Sequence, residues 1–317
     1  RAILLAAGKK EGMIGTTGTV IGYVVTPTLN TTPESYELHQ AFAQMVEAGC
    51  EYAVMEVSSQ GIKMHRTDGL YFNYAIFTNI SPDHIGPGEH ADFEEYLYYK
   101  TRLLNMCGIG LVNKDDEHAP QIIKAANCEL YTYSEESKEA DFVASDIRYV
   151  SQPDFVGTEF HISGKYDMEV RLGIPGLFNV VNALAAVSVC SFLGLDQARI
   201  SHALENIRVN GRMEIVYTSE RCTVLVDYAH NAVSMESLLS TLRDYKPKRL
   251  VCVFGCGGNR SKDRRYSMGE IGGKMADLSI ITADNSRYEK VEDIIADIRG
   301  SIEKTGGKFI EIPDRRE

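Results

Sequence analysis

An alternation of strands and helices from residue 222 onwards is the feature that most constrains the fold of this chain. The pattern predicts strands at 222–228, 249–254, 278–282 and 309–312, and helices at 233–245, 267–275 and 289–304. Strands that alternate with helices form parallel sheets, because each helix returns the chain to the same end of the sheet. We therefore expect an α/β protein that ends in a Rossmann-like domain.

The earlier part of the chain predicts a second α/β domain. The pattern predicts a helix with Thr32 as N-cap and Pro33 in its first turn, a buried strand at 52–57, a strand at 74–80, antiparallel strands within 140–172, and helices at 177–193 and 196–207. The Asn210-Gly211 dipeptide is typical of a joint between domains. We expect a central parallel-sheet domain with some antiparallel strands at 1–209, and the Rossmann-like domain at 210–317.

Composition excludes several classes of protein. Lys and Arg number 33 against 44 Asp and Glu, a formal net charge of −11, whereas nucleic-acid binders usually present a net basic surface. No apolar run reaches the roughly 18 residues that span a membrane. Seven cysteines without tight spacing indicate reduced thiols. We expect a cytoplasmic protein without a nucleic-acid partner or a membrane span.

Polar residues follow two strands of the first predicted domain. Glu56 and Ser58 follow one strand, and His84 follows the other. Ligands bind beyond the carboxyl ends of parallel strands, and a carboxylate with an imidazole can hold a divalent cation there. An equally good reading is that Ser58 caps a turn and His84 is an ordinary loop residue.

A lysine interrupts the apolar face of the helix predicted at 91–106. Phe93, Leu97, Lys100 and Leu104 fall on one side of this helix. Burial lowers the pKa of a lysine, and a neutral amine reacts with carbon dioxide to give a carbamate that can bind a metal. Alternatively, the Lys100 amine reaches water at the edge of the helix, which is the commoner arrangement.

The second predicted domain also has polar strand ends. Glycines at 255–258 can present N–H groups to an anion, with basic side chains at Lys262, Arg264 and Arg265 beside them, unless this is a solvated loop. The other polar runs contain Asp227, His230, Asn285 and Arg287. Three such ends in one domain favour a ligand crevice. In the first domain, Asn179 and Asn182 share a face of an apolar helix, and buried amides there need partners. Asn179 could cap the helix, or the amides could contact the edge of a purine.

The order of these motifs resembles the Mur ligases of peptidoglycan synthesis, in particular the MurE branch. The matching runs are NTTPE at 30–34, EVSS at 56–59, FTNISPDH at 77–84, the helix from Tyr96 to Lys100, FNVVNALAA at 178–186, GRMEIV at 211–216, DYAHN at 227–231, FGCGGNR at 254–260 and DNSR at 284–287. The resemblance extends over the whole chain.

The resemblance implies an ATP-dependent amide-bond ligase that extends UDP-MurNAc-L-Ala-D-Glu by a diamino acid through an acyl phosphate. By the same resemblance, Glu56 and His84 would bind Mg²⁺, and a carbamylated Lys100 would complete the metal site. The UDP-MurNAc-dipeptide would be held by Thr31, Thr32, Ser58 and Arg66. We expect a monomer.

The remaining site residues also follow from the resemblance. Asn179 and Asn182 would lie near adenine, while Arg212, Asp227 and His230 would complete a nucleotide cleft between the domains. Asn285 and Arg287 match the family motif DNPR, whose arginine binds the distal carboxylate of meso-diaminopimelate. A guanidinium suits a carboxylate because it donates two parallel hydrogen bonds.

The chain departs from the family pattern at several points. The family's phosphate-binding G-x-x-G-x-x-G-K-T-T run is absent, so we expect a fragment that cannot turn over ATP by itself. Gln60 stands where the family often has histidine, Met64 where it often has glutamine, and Ser286 where it has proline.

Three alternatives to a diaminopimelate ligase stay open. One is the same ligase acting on L-lysine, which Arg287 disfavours because lysine has no distal carboxylate. Another is a folylpolyglutamate or cyanophycin type of ligase, which the NTTPE and DNSR runs disfavour. The third is a non-catalytic binding protein on this fold, against which the set of Glu56, His84 and Lys100 argues.

Overall fold

The structure is a computed structural model that describes residues 1–86 and 88–317. It divides into a first unit of residues 1–148, 158–173 and 178–207, and a second unit of residues 149–157, 174–177 and 208–317. Its mixed α/β architecture, with mainly parallel sheets, confirms the predicted fold class. The predicted domain boundary at 209/210 stays a prediction.

The first unit contains a four-stranded sheet in the order β3-β2-β1-β4. Its strands are β1 (Glu11–Gly15), β2 (Gly18–Ile21), β3 (Val24–Thr26) and β4 (Tyr52–Met55). β4 pairs with β1 in parallel, and β1, β2 and β3 are antiparallel neighbours. The prediction of a buried strand at 52–57 is wrong, because β4 lies at the sheet edge and Val54 is 39% exposed.

A second, six-stranded sheet has the order β10-β9-β8-β7-β6-β5. Its strands are β5 (Phe72–Phe77), β6 (Cys107–Asn113), β7 (Glu129–Ser134), β8 (Phe142–Gln152), β9 (Phe155–Gly164) and β10 (Met168–Leu172). Strands β5 to β8 are parallel neighbours, and β9 pairs with β10 in the antiparallel sense. The two strands predicted near residues 52 and 74 therefore belong to different sheets, each with its own parallel partner.

The helices of the first unit cover the apolar side chains of these sheets. They are α1 (Ala2–Ala6), α2 (Ser35–Glu47), α3 (Ser59–Lys63), α4 (Phe93–Thr101) with a 3₁₀ turn (Arg102–Asn105), α5 (Ala119–Ala125), α6 (Leu177–Phe192) and α7 (Gln197–Glu205). Helix α6 buries Val180, Leu184 and Val187 in the largest core cluster. Thr32 was expected to cap α2, but the N-cap is Glu34, without a side-chain hydrogen bond.

The second unit contains a parallel sheet in the order β13-β14-β15 and a separate antiparallel pair. The pair is β11 (Glu214–Thr218) with β12 (Thr223–Val226), and the sheet is β13 (Val251–Phe254), β14 (Leu278–Thr282) and β15 (Phe309–Ile312). The helices are α8 (Ala232–Asp244), α9 (Lys262–Met275) and α10 (Val291–Thr305). The strand predicted at 222–228 thus pairs with β11 rather than with the parallel sheet.

Helix α9 begins five residues before its predicted start at 267. The Ser261 hydroxyl caps it by accepting from the Asp263 N–H at 3.3 Å. This places Lys262, Arg264 and Arg265 on a helix rather than in a loop. Among the described residues, the helices are too short or too polar to cross a membrane.

Candidate functional site

The Glu56 carboxylate lies among hydroxyl side chains at the end of β4. Thr16, in the turn between β1 and β2, donates to Glu56 Oε2 from its hydroxyl at 2.7 Å and from its backbone N–H at 3.3 Å. The Thr16 and Thr31 hydroxyls are 3.1 Å apart. A Cβ on Gly15 would lie 2.7 Å from Glu56 Oε1, so glycine permits this close approach.

Thr32 connects the two predicted substrate-binding segments. Its buried hydroxyl donates to the Glu56 carbonyl at 3.0 Å and accepts from the Ser58 N–H at 2.9 Å. Arg66 donates to the Thr32 carbonyl at 3.3 Å and forms an ion pair with Glu34 at 2.7 Å. The predicted residues of this region therefore form one hydrogen-bonded group.

His84 follows β5 in a loop and is about half exposed. Its Nδ1 is 3.3 Å from Glu89 Oε1, and its backbone N–H donates to Asp83 Oδ1 at 2.8 Å. Its ring meets the Tyr96 ring edge-on, with the ring centres 5.7 Å apart. The left-handed φ of 53° at His84 is uncommon for a residue other than glycine and marks a backbone held by its surroundings.

His90 is a residue of this site that the sequence reasoning missed. It is fully buried, and its Nε2 lies 2.8 Å from the Ser59 hydroxyl. Its backbone N–H donates to the His84 carbonyl at 3.0 Å. His90 therefore attaches the His84 loop to the residue that follows Ser58. The sequence shows no signal for this role, because His90 and Ser59 are 31 positions apart and meet only in the folded chain.

Lys100 lies on α4, with its Nζ 5.4 Å from the centre of the Tyr96 ring. Tyr96 thus contacts both Lys100 and His84. Burial lowers the pKa of the Lys100 amine, while the nearby carboxylates of Asp83 and Asp116 raise it to a smaller extent. A lowered pKa increases the neutral fraction of the amine, which is the form that reacts with carbon dioxide.

The donors present are compatible with Mg²⁺. Within residues 1–86 and 88–317, no three His, Cys, Asp or Glu side chains are grouped closely enough to hold a metal by themselves. Nucleotide-dependent enzymes commonly bind Mg²⁺ through one or two protein ligands and the phosphate oxygens of the substrate. The exposed Glu56 carboxylate meets this smaller requirement by itself. The role of His84 as a metal ligand stays a prediction.

In the second unit, two loops after parallel strands contact each other closely. We call residues 255–260, after β13, the glycine loop, and residues 283–290, after β14, the arginine loop. A Cβ on Gly258 would overlap the Ser286 carbonyl oxygen. The Gly258 N–H donates to the Asn285 carbonyl at 2.8 Å. The expectation that the glycines leave their N–H groups free for an anion is therefore wrong for Gly258.

Arg287 and Asn285 lie at this contact. Arg287 Nη1 donates to the Gly258 carbonyl at 2.6 Å, and the Arg287 N–H donates to Asn285 Oδ1 at 3.3 Å. Both residues are exposed. A guanidinium bound to a neutral carbonyl at the surface retains further N–H donors for a carboxylate.

Arg212, Asp227 and His230 lie near one another in the second unit. The Arg212 guanidinium is 4.9 Å from the centre of the Tyr228 ring, and His230 Nδ1 is 3.1 Å from the Tyr228 carbonyl. Asp227 accepts from two backbone N–H groups, those of Met213 and of Ala229, each at 2.8 Å. These bonds shape the turn between β12 and α8.

Asn179 and Asn182 share one face of α6, as predicted from their spacing. Asn182 Nδ2 donates to Asn179 Oδ1 at 3.5 Å. The sequence reasoning treated both amides as buried, which is wrong for Asn182, since its side chain is exposed. Their contact with adenine stays a prediction.

Two domains of one known protein family match successive parts of this chain. Residues 1–190 match the Mur ligase middle domain, and residues 211–317 match the Mur ligase glutamate ligase domain. This chain belongs to the Mur ligase family.

Named relatives of this Mur ligase include two curated proteins called UDP-N-acetylmuramoyl-L-alanyl-D-glutamate–2,6-diaminopimelate ligase. The protein from Caldanaerobacter subterraneus subsp. tengcongensis is 38% identical over 323 residues, which cover 100% of this chain and 65% of the relative. The protein from Clostridium perfringens is 38% identical over 306 residues, which cover 94% of this chain and 62% of the relative. This Mur ligase chain thus spans about 65% of the length of such relatives.

Two solved structures superpose on this chain. A structure of UDP-N-acetylmuramoyl-L-alanyl-D-glutamate–2,6-diaminopimelate ligase superposes with a TM-score of 0.78 at 31% identity, covering 100% of this chain and 65% of that one. A folylpolyglutamate synthase from Mycobacterium tuberculosis superposes with a TM-score of 0.68 at 18% identity, covering 99% of this chain and 78% of that one. The second likeness shows only that the Mur ligase fold is shared.

Proposed function

We propose that this Mur ligase catalyses the ATP-dependent addition of meso-diaminopimelate to UDP-MurNAc-L-Ala-D-Glu. The observation that carries the proposal is the hydrogen-bonded group of Thr31, Thr32, Ser58 and Arg66 beside Glu56. The partly exposed Thr31 hydroxyl and Arg66 guanidinium suit the carboxylate and phosphate oxygens of this substrate. The Thr32 hydroxyl and the Ser58 N–H are bonded within the group and hold its two segments together. The relatives that are named for the reaction support the same choice.

The proposed reaction has two steps. The terminal carboxylate of the dipeptide attacks the γ-phosphate of ATP to give an acyl phosphate, and ADP leaves. The amine of the incoming amino acid then attacks the acyl carbon, so that an amide bond forms and inorganic phosphate and a proton are released. The first step brings two anions together, so it needs donors that are held in place beforehand. Thr31, Thr32, Ser58 and Arg66 orient the dipeptide substrate.

Mg²⁺ held by Glu56, His84 and a carbamylated Lys100 would offset the repulsion between carboxylate and phosphate. The lowered pKa of Lys100 supports this assignment, because a carbamate forms from a neutral amine. The shared contact of Lys100 and His84 with Tyr96 supports a common location. His90 holds the loop that carries His84.

ATP binding is proposed for two sets of residues. Asn179 and Asn182 contact adenine, and Arg212, Asp227 and His230 are further nucleotide-binding candidates. The hydrogen bond between the two amides supports a shared role for the α6 face. The reaction is proposed to take place in the cytoplasm.

Arg287, with Asn285, selects the amino acid. Its guanidinium binds the distal carboxylate of meso-diaminopimelate, and L-lysine lacks that group. The exposure of Arg287 and its bond to a neutral carbonyl support this role, since a carboxylate forms stronger, charge-assisted hydrogen bonds.

Phosphate release by the complete gene product tests the proposal. The assay contains ATP, Mg²⁺ and UDP-MurNAc-L-Ala-D-Glu, with meso-diaminopimelate, with L-lysine or without an amino acid. We expect release with diaminopimelate alone. Release with lysine would overturn the choice of amino acid and keep the ligase reaction. An absence of release in all three reactions would overturn the proposed function.

A further inference from the structure

The glycine loop and the arginine loop are joined by reciprocal hydrogen bonds. The Gly258 N–H donates to the Asn285 carbonyl at 2.8 Å, and Arg287 Nη1 donates back to the Gly258 carbonyl at 2.6 Å. The Tyr288 N–H donates to Asn259 Oδ1 at 3.1 Å. A change in the position of either loop would therefore move the Arg287 guanidinium.

Two residues of these loops have backbone conformations that need support from their surroundings. Asn259 has a φ of 51° and Arg287 a φ of 49°, both in the left-handed region. Residues other than glycine rarely adopt this region, and they persist there where surrounding contacts hold them. The contacts that hold these two loops in place therefore help to set the direction of the Arg287 side chain.

A buried arginine beneath the loops supplies such contacts. Arg265, on α9, is 1% exposed. Its Nη2 donates to Glu289 Oε1 at 2.7 Å, and its Nη1 donates to Asp297 Oδ2, on α10, at 2.9 Å. Glu289 Oε1 also accepts from the Asn259 N–H. One carboxylate oxygen of the arginine loop thus binds both a helix and the glycine loop.

The hydrogen bonds from these partners stabilise the negative charge of Glu289. The hydrogen bond from Arg265 lowers the pKa of the Glu289 carboxyl, and the Asn259 N–H lowers it further. Glu289 is therefore ionised at neutral pH, and its hydrogen bonds are charge-assisted. Their partners are Arg265 and Asn259, so any effect on Arg287 passes through the backbone of the two loops.

We propose that Glu289, fixed by Arg265, is a positioning residue that holds Arg287 ready for the distal carboxylate of the diamino acid. This inference rests on the proposed function. Before binding, Arg287 donates to a neutral carbonyl, and a substrate carboxylate is the stronger acceptor. The affinity for the amino acid then depends on how well the two loops are ordered beforehand.

Steady-state kinetics of the complete gene product test this role. Glu289→Gln keeps an oxygen acceptor but removes the charge, and Glu289→Ala removes both. We expect the KM for meso-diaminopimelate to rise roughly tenfold in Glu289→Gln and further in Glu289→Ala. The KM values for ATP and UDP-MurNAc-L-Ala-D-Glu should stay within about twofold, because the loops of the other sites are unchanged.

Glu270→Gln is the matched control. Glu270 also lies in the second unit and pairs with a basic side chain, Lys274, but at the surface of α9. Its substitution should leave all three KM values unchanged. Amide hydrogen exchange of the same proteins supplies a second readout, in which Glu289→Ala should accelerate exchange at Asn259 and Tyr288 while Glu270→Gln should not.

The outcomes distinguish this inference from the proposed function. Equal increases in all three KM values, or a fall in kcat with unchanged KM values, would mean that Glu289 acts only in folding, and would overturn the inference alone. Unchanged exchange at Asn259 and Tyr288 in Glu289→Ala would also overturn it. Wild-type protein that releases no phosphate with any amino acid would overturn the proposed function and this inference together.

Discussion

At the scale of single residues, Lys100 combines a charged group with a partly buried position. Burial lowers the pKa of its amine, and Asp83 and Asp116 oppose that shift. A carbamate would convert the buried cation into an anion that a metal can neutralise.

Lys100→Ala should therefore abolish ligation, and small carboxylic acids such as acetate should restore part of it. Phosphate release with and without added acetate measures this. Unchanged activity in Lys100→Ala would exclude the metal-site assignment.

Arg287 is a second residue, and its substitution should change the KM for one substrate much more than the KM for another. Arg287→Ala removes the guanidinium that we assign to the distal carboxylate of diaminopimelate. The KM for diaminopimelate should rise about 10²-fold, since a charge-assisted bidentate pair is lost, and the KM for ATP should change little. Initial rates at varied concentrations of each substrate measure both. Equal effects on the two KM values would count against Arg287 as the selector.

Burial of the Glu135 carboxyl should make the free energy of unfolding depend on pH. Burial raises its pKa to about 7, and Asp115 and Glu136 contribute in the same direction. The folded state therefore binds this proton more tightly than the unfolded state does. The resulting stabilisation is complete below the ordinary pKa of 4.5 and is lost as the pH rises through about 7.

Glu135→Gln should remove that dependence, because glutamine resembles the protonated acid. Between pH 5 and 8, the free energy of unfolding of the wild type should fall more than that of Glu135→Gln. Urea titrations at several pH values measure both curves. Parallel curves for the two proteins would show that Glu135 titrates near its ordinary pKa.

At the scale of elements, Thr32 connects the segment before α2 to the start of α3. Its hydroxyl bonds to the Glu56 carbonyl and the Ser58 N–H, and Ser58 Oγ in turn caps α3 by accepting from the Gly61 N–H at 3.0 Å. Both segments contribute to the proposed dipeptide site. The loops that approach the substrate are therefore held by one another, rather than by the strands alone.

Thr32→Val keeps the shape of the side chain and removes its hydroxyl. The substitution leaves the Ser58 N–H without its acceptor, so the free energy of unfolding should fall by about 1–3 kcal/mol. The KM for UDP-MurNAc-L-Ala-D-Glu should rise as well. Thr26→Val makes the same chemical change on the exposed strand β3 and is the control. Equal losses of stability in the two variants would show that the Thr32 hydroxyl bonds contribute nothing measurable.

At the scale of the whole molecule, the two units have separate hydrophobic cores. Leu184 is fully buried in a core cluster of the first unit, and Ile298 is fully buried in the core cluster of the second. Each core buries its own helices against its own sheets. The predicted monomeric state concerns the same scale and stays a prediction.

Separate cores lead to a prediction about unfolding. Ile298→Ala should lower the stability of the second unit by about 2–5 kcal/mol, and Leu184→Ala that of the first by a similar amount. Calorimetry should show each substitution shifting a different part of the unfolding transition. Identical shifts of one common transition by both variants would show that the two units unfold together.

The fold class could be predicted from the sequence because hydrophobic periodicity is a local signal. Helices α6, α8 and α10 lie close to their predicted positions. The start of α9 was missed because the apolar periodicity begins after its charged first turn, although the capping residue Ser261 was present in the sequence. The edge position of β4 was also missed, since an apolar run does not reveal which strands flank it.

For the candidate site, the sequence by itself determined which chemical groups are available and their order along the chain. Glu56, His84, Lys100 and Arg287 were proposed as site residues because strand ends and an interrupted apolar helix face mark such groups locally. Only the tertiary structure decided which side chains pair beside the loops of His84 and Arg287: His90 with Ser59, and Glu289 with Arg265. The physical reason is that hydrogen bonds and burial depend on distance in space, and these partners are 31 and 24 positions apart in the chain.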